Sequence, residues 1–557
     1  MSDEPKPQGE VTYDPLVAFM ALFENVQARD TSTDPFEGLG IEERLKLHII
    51  KGIKKRLDAH LAEALAVHPP LHIINEILLD GMKTVGDLFG AGKMQLPFVL
   101  QSAEVMKAAV AYLEPHMEKA DGQAKGSILL ATVAGDVHDI GKNLVDIILT
   151  NNGYRVVNIG IKQPINTILE SAQREECEVI GLSGLLVKST LVMRDNLLEM
   201  NRRGVASIPV ILGGAALTRA YVEQDLREVY DGRVFYAQDA FEGLRLMEQI
   251  KEGGEEVAPP RLAGATAASH RTPDRDPGLY VFDGITSDTP PAESVPELPF
   301  YGARKRTQFD IFEIYRYINP IALFRGQWQY KKPEGMSNPE FTDWLEENVR
   351  PIFEQKQREL ARVMKPAVKW GYFWAQSEGN DLIIYHEDKK SERARFTFPR
   401  QRDGQRLCLA DFFRPVSSGE MDVAAFHIVT VGGEVSEYER SLFAAGDYQD
   451  YLYVHGMGVE TAEALAEYWH QMIRREMGIA DQEPDEFRLL FSARYHGARY
   501  SFGYPACPNL EDQAVLMDLL EPGDIGITLS EEFMLVPEQS TSAIIVHHPA
   551  AKYFNIR

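Results

Sequence analysis

Ile128-Leu129-Leu130-Ala131-Thr132-Val133 runs into Gly135-Asp136-Val137-His138-Asp139-Ile140-Gly141-Lys142-Asn143, and this stretch decides the fold. The near-continuous apolar run reads as a strand buried on both faces, as parallel sheets require. Leu144 to Leu149 then lies in a helix. The same alternation repeats downstream: Val156 to Ile159, Val179-Ile180-Gly181-Leu182, Val210-Ile211-Leu212 and Val234-Phe235-Tyr236 read as four more strands between amphipathic helices. Strand–helix alternation predicts a five-stranded, doubly wound parallel sheet with right-handed crossovers over residues 121–250.

In such a sheet, ligands bind at the carboxyl ends of the strands. The loop carrying His138 sits there, and Gly135 and Gly141 permit its turns. His138 can offer a neutral imidazole nitrogen to a metal, while Asp136 accepts the proton on the other nitrogen and sets the tautomer. One histidine is too few for a bare zinc ion but suffices for a metal already held by a macrocycle. A loop histidine bonded for structure is the alternative reading. Strand three ends in Gly181-Leu182-Ser183-Gly184-Leu185, with Ser189 following, and strand four in Gly213-Gly214-Ala215. These small residues would leave a flat floor and a deep slot on the His138 side. Each Gly cluster taken alone also fits a turn or a helix-packing requirement.

Working outward, residues 41–120 read as a helical bundle. Ile49, Ile53, Leu57 and Leu61 recur every four positions, which predicts one helix face. Pro69-Pro70 breaks the pattern before Ile73, Ile77, Leu78 and Met82. Gly90-Ala91-Gly92 makes a bend before Leu96, Val99, Ala103, Met106, Val110 and Leu113. Residues 1–40 form an N-terminal extension, with a short helical pattern from Asp14 to Ala28. Residues 251–300, with Pro259-Pro260 and Pro290-Pro291, read as a linker. Residues 301–557 read as a mixed α+β domain, with a helix from Thr461 to Met477 and a strand from Ile544 to His547.

Composition narrows the class. The 557 residues suggest three or four domains. Hydrophobic residues make up 44% and charged residues 25%, an ordinary globular balance. No apolar run reaches the length of a membrane span, and the N-terminus lacks the apolar core of a secretory signal. A net charge of −25 argues against a whole-chain nucleic-acid binder. Cys177, Cys408 and Cys507 form no CxxC pair, so neither a disulfide framework nor a thiolate zinc site is expected, and a cytoplasmic setting fits.

Asp136-x-His138-x-x-Gly141, Ser183-x-Leu185 and Gly213-Gly214, in that order, resemble the signature of vitamin B12-binding domains. Asp80-Gly81-Met82, Val85 to Phe89 and Lys93-Met94-x-Leu96-Pro97 resemble the helical cap over methylcobalamin. Arg499, Gly503 to Pro508 and Lys552-Tyr553-Phe554 resemble the adenosylmethionine-binding reactivation domain of the cobalamin-dependent methionine synthase family. The resemblance covers roughly residues 41–250 and 300–557.

It implies that His138 is the lower ligand of the cobalt in cobalamin, with Asp136 and Ser189 as the proton relay behind it. Gly135, Val137, Asp139, Gly141, Ser183, Val187, Gly213, Gly214 and Ala240 would line the cofactor site, and Phe89, Leu96, Val99 and Asn75 would face it from the cap. Asn319, Glu463, Arg499, Tyr504, Tyr553 and Phe554 would hold S-adenosylmethionine, Arg499 through the ligand's carboxylate. A solvated helix-face acid is the alternative for Glu463, and plain bundle core for the cap residues. Asn319 stands where the family usually has Asp, Asn75 where it has Glu, and Val187 where it has a small polar residue.

The implied function is a methyltransferase shuttle from methyltetrahydrofolate to homocysteine. Oxidised Co(II) is remethylated with S-adenosylmethionine and an electron from a flavodoxin-like reductase. The homocysteine and folate modules are expected on a removed segment or another chain. A corrinoid carrier serving separate methyltransferases is the alternative, but it leaves residues 301–557 unexplained. A B12-dependent regulator would need a basic DNA-binding module, which this charge balance does not offer.

Overall fold

The computed structural model describes residues 34–117, 124–252, 277–480, 483, 487–491 and 495–556. The Asp14–Ala28 pattern lies outside them. Five parallel strands form the central sheet: β1 (Ser127–Thr132), β2 (Arg155–Asn158), β3 (Val179–Ser183), β4 (Val210–Gly213) and β5 (Val234–Ala237), in the order β2-β1-β3-β4-β5. This is the flavodoxin-like order, whose switch point lies between β1 and β3. Every residue of β1 is buried, which explains its unbroken apolar run. The register pairs Thr132 with Ser183 and Ser183 with Gly213, so the ends of β1, β3 and β4 meet on one rim.

The helical bundle comprises Ile41–Lys51, Leu57–Leu65, the turn Ile73–Leu78 running into Leu79–Gly90, and Leu96–Leu113. The expected single face through Ile49, Ile53, Leu57 and Leu61 is divided between two helices. Gly52 at φ 63° ends the first and Arg56 at φ 68° starts the second, so the chain turns between them. Ile49, Leu57 and Leu61 are still buried in the bundle core. The bundle packs on the sheet's flanking helices Ile140–Asn151 and Ala240–Lys251 through Ile148 and Phe241. Phe89 stacks on Phe241 with ring centroids 4.7 Å apart.

The third unit is built on a seven-stranded antiparallel sheet: β6 (Gly302–Arg306), β7 (Ala367–Glu378), β8 (Asp381–Tyr385), β9 (Glu392–Thr397), β10 (Asp422–Thr430), β11 (Ala498–Ser501) and β14 (Ser540–Val546). A small hairpin, β12 (Thr528–Leu529) and β13 (Leu535–Val536), stands apart from it. The helix expected from Thr461 begins earlier and spans Tyr448–Glu476. Gly456 and Gly458, which look like helix breakers, are sites of close packing. A Cβ on Gly456 would lie 2.8 Å from Trp328, and one on Gly458 2.9 Å from Gln539.

This unit lies against the other two. Tyr448 and Leu452, from the first turns of the long helix, share a core with Leu96, Leu100, Leu144 and Ile147. Gln95 donates to the carbonyl of Lys331 and accepts from its N–H, both at 2.7 Å. No helix among the described residues is long and apolar enough to cross a membrane.

Candidate cofactor site

Asp136 organises the loop after β1. Its Oδ1 lies 2.8 Å from His138 Nδ1 and accepts the His138 backbone N–H at 3.0 Å. Its Oδ2 accepts from Ser189 Oγ at 2.6 Å and from the Leu185 N–H at 2.8 Å. Thr132 Oγ1 donates to the His138 carbonyl, tying the loop to β1. With Nδ1 engaged, Nε2 is the ring atom of His138 available to a metal.

The electrostatics follow. Burial disfavours the Asp136 carboxylate, but the hydrogen bonds from His138 and Ser189 hold its pKa below the ordinary value. Burial likewise disfavours the His138 imidazolium, but the hydrogen bond to Asp136 and the charge of Glu538 raise its pKa.

A cavity of about 500 Å³ opens beside His138. It runs from Gly141 and Leu144 past Ser183 and Gly184 to Gly213, Gly214 and Ala240, and Phe89 and Leu96 close it from the bundle. Its glycines are required by close approach. Gly214 has φ 141°, and a Cβ there would fall 1.8 Å from the Gly184 carbonyl oxygen. A Cβ on Gly184 would meet Ser189 at 2.5 Å. The donor set fits a metal brought in by a large organic ligand: one oriented imidazole beside a deep, largely apolar slot.

The structure therefore brings His138, Gly141, Ser183, Gly213, Gly214, Ala240, Phe89 and Leu96 to one cavity, with Asp136 and Ser189 behind it. Val137 and Asp139 line a neighbouring cavity that Glu439, Tyr451 and Glu538 close from the third unit. Gly135 instead faces the β12–β13 hairpin. Val187 is the first residue of helix Val187–Arg202. Val99 is fully buried in the bundle core, where its long-range apolar neighbours retain it. Asn75 is exposed on the Ile73–Leu78 turn and lines no described cavity near His138.

Lys142 has no role legible in the sequence beyond its place in the loop. It is buried, its Nζ bonds Asn143 Oδ1 and, at 2.7 Å, Asn158 Oδ1, and burial lowers its pKa to about 8. Tyr451 escapes sequence reasoning altogether. Its hydroxyl accepts from Asn143 Nδ2 at 2.8 Å and donates to Asp139 at 3.3 Å. A charged residue directly after Gly141, in the first turn of helix Ile140–Asn151, is the one signal for Lys142; nothing local signals Tyr451.

In the third unit, Arg499 Nη2 pairs with Glu463 at 3.0 Å and Nε with Glu467 at 3.3 Å. Tyr504 and Tyr553 are exposed, and Tyr504 lies close enough to feel the charges of Glu463, Arg499 and Glu460. Two expected ligand contacts are placed otherwise. Asn319 Oδ1 accepts the N–H groups of Ile321 at 3.0 Å and Ala322 at 3.4 Å, so it caps the following turn. Phe554 is buried against Phe412 and Tyr500, where an apolar ring belongs to the core.

Comparison with known proteins gives matches along most of the chain. Models of the B12 binding domain match residues 41–114 and 126–245, and that of the vitamin B12 dependent methionine synthase activation domain matches residues 312–557. The methionine synthase of Mycobacterium tuberculosis (strain ATCC 25618 / H37Rv) is 50% identical over 580 residues, covering 98% of this chain and 49% of that protein. The methionine synthase of Mycobacterium leprae (strain TN) is 48% identical over 587 residues, with the same coverages. The chain thus spans about half the length of these relatives. A solved MetH reactivation domain bound to AdoHcy covers 50% of this chain and 88% of its own, at 26% identity and a TM-score of 0.43.

Proposed function

We propose, for a chain that carries the B12-binding and activation domains of vitamin B12-dependent methionine synthase, that it holds cobalamin through His138 and keeps it serviceable for methyl transfer. The observation that carries this is the Ser189–Asp136–His138 chain beside the Gly-lined slot. Cobalamin, when bound, supplies a cobalt that accepts and releases a methyl group.

The chain's own residues do the rest. His138 presents Nε2 to the metal. Asp136 fixes the ring tautomer and holds the Nδ1 proton, with Ser189 sharing the charge on Oδ2. Ser183, Gly213, Gly214 and Ala240 seat the organic tail, and Phe89 and Leu96 keep water from the slot.

Residues 301–557 would bind S-adenosylmethionine at Arg499, Glu463, Tyr504 and Tyr553. A carboxylate ligand would meet Arg499, and a sulfonium would be met by Glu463. The substrates of the full activity would be homocysteine and methyltetrahydrofolate, bound by modules beyond these domains, with a flavodoxin-like reductase as electron donor in the cytoplasm.

The test is direct. The purified chain is mixed with methylcobalamin, passed through a desalting column, and its visible spectrum is recorded beside that of His138→Gly. Retained pigment whose bands change in the variant supports His138 ligation. Identical spectra would overturn it.

A further inference from the structure

We propose that Glu42, His68 and His72 form a zinc site on the outer face of the helical bundle. One candidate ligand atom from each of the three lies within 4.8 Å of the other two. His68 Nε2 is 3.0 Å from Glu42 Oε1, close to the ~3.3 Å between two ligands of a tetrahedral zinc ion. The His68 and His72 rings are 4.8 Å apart, with planes at 26°. Two imidazoles sharing one tetrahedral ion at ~2 Å per Zn–N bond place their centroids about 5 Å apart. The separation of the two rings is therefore already that of two ligands on one ion.

The backbone supports this spacing. His68-Pro69-Pro70-Leu71-His72 holds two prolines between the ligands, and Pro69 is extended at φ −66° and ψ 150°. Fixed φ angles restrict how far the two histidines can separate. Glu42 stands in the first turn of helix Ile41–Lys51, where the helix end also favours a carboxylate. Two imidazoles and one carboxylate are a zinc donor set that leaves one position for water. None of the three residues lines the His138 cavity. The other close histidine pair of the bundle, His48 and His60, is buried and bonded to each other at 2.7 Å.

The bound ion would staple the start of the bundle's first helix to the Pro69–Pro70 turn. Zinc would then stabilise the bundle in proportion to its occupancy.

The experiment uses the full chain, free of cobalamin, titrated with zinc sulfate by calorimetry, with metal content measured after dialysis. Thermal unfolding is followed in parallel. Wild type is expected to take up one equivalent and to unfold at a higher temperature with zinc. H68A/H72A should bind at least ~100-fold more weakly and lose the thermal shift. E42Q should weaken binding ~10-fold, and H116A, elsewhere on the bundle, should match wild type. Cobalt(II) replacing zinc in wild type should give the intense visible bands of four-coordination. The proposal is overturned if wild type takes up no zinc at tens of micromolar. It is equally overturned if H68A/H72A binds as wild type, or if E42Q leaves the affinity unchanged.

Discussion

The hydroxyl of Ser530 donates to the carbonyl oxygen of Gly135 over 2.9 Å, joining the β12–β13 hairpin to the loop that carries His138. Lys188, the neighbour of Ser189, pairs with Glu532 of the same hairpin at 2.5 Å. The hairpin thus touches Gly135 and Lys188, the residues that directly precede Asp136 and Ser189. Gly135 has φ 77°, and a Cβ there would lie 1.6 Å from Glu532 Cγ. Gly135→Ala is expected to unseat the third unit from the parallel sheet, seen as a larger radius of gyration by small-angle X-ray scattering. Ser530→Ala, which removes the hydrogen bond to Gly135 and the two that Ser530 Oγ accepts within the hairpin from Glu532 and Met534, each of about 1 kcal/mol, introduces no such clash and should loosen it less.

Asp136→Asn should lower stability by about 2–3 kcal/mol in urea unfolding, because the buried carboxylate accepts four hydrogen bonds and an amide nitrogen in place of Oδ2 would face the N–H of Leu185. The same variant should retain methylcobalamin less well after desalting, because the His138 ring loses its orientation.

Gly214→Ala should abolish pigment retention while leaving the circular dichroism of the sheet in place. Its Cβ would drive into the Gly184 carbonyl, and relieving that clash narrows the slot. The stability cost of such overpacking is about 1–3 kcal/mol, so the protein should still fold.

Glu460 gives a pH dependence. It is buried on helix Tyr448–Glu476, and desolvation raises its pKa from 4.5 to about 7. The folded chain therefore holds the proton more tightly than the unfolded chain. This contribution to stability is fully present below pH 4.5 and is lost as the pH rises to about 7. Glu460→Gln should flatten that part of the stability–pH curve and raise stability at pH 8 by about 2–3 kcal/mol. Urea midpoints at about pH 5 and about pH 8, on either side of the titration, check both effects.

The parallel sheet was readable because each strand is a nearly continuous apolar run between Gly-rich turns. Its slot was readable because backbone contact at Gly184 and Gly214 excludes any side chain. The turn at Gly52 was not, because apolar spacing continues across it while left-handed residues break the helix. The early start of helix Tyr448–Glu476 was hidden by Gly456 and Gly458, which serve contacts with Trp328 and Gln539 remote in sequence. Tyr451 and Ser530 escaped notice for a related reason: each is an ordinary polar residue until a separate folding unit comes to meet it.

The reciprocal Gln95–Lys331 bonds, like those of Ser530 and Tyr451, join parts of one polypeptide. Engagement of the third unit is therefore a first-order event. The fraction engaged does not change on dilution, and a tethered partner acts at an effective millimolar concentration. An assay at nanomolar protein consequently samples the same balance of arrangements as a concentrated solution, and ligands, substitutions or a change of pH or temperature, not dilution, shift it.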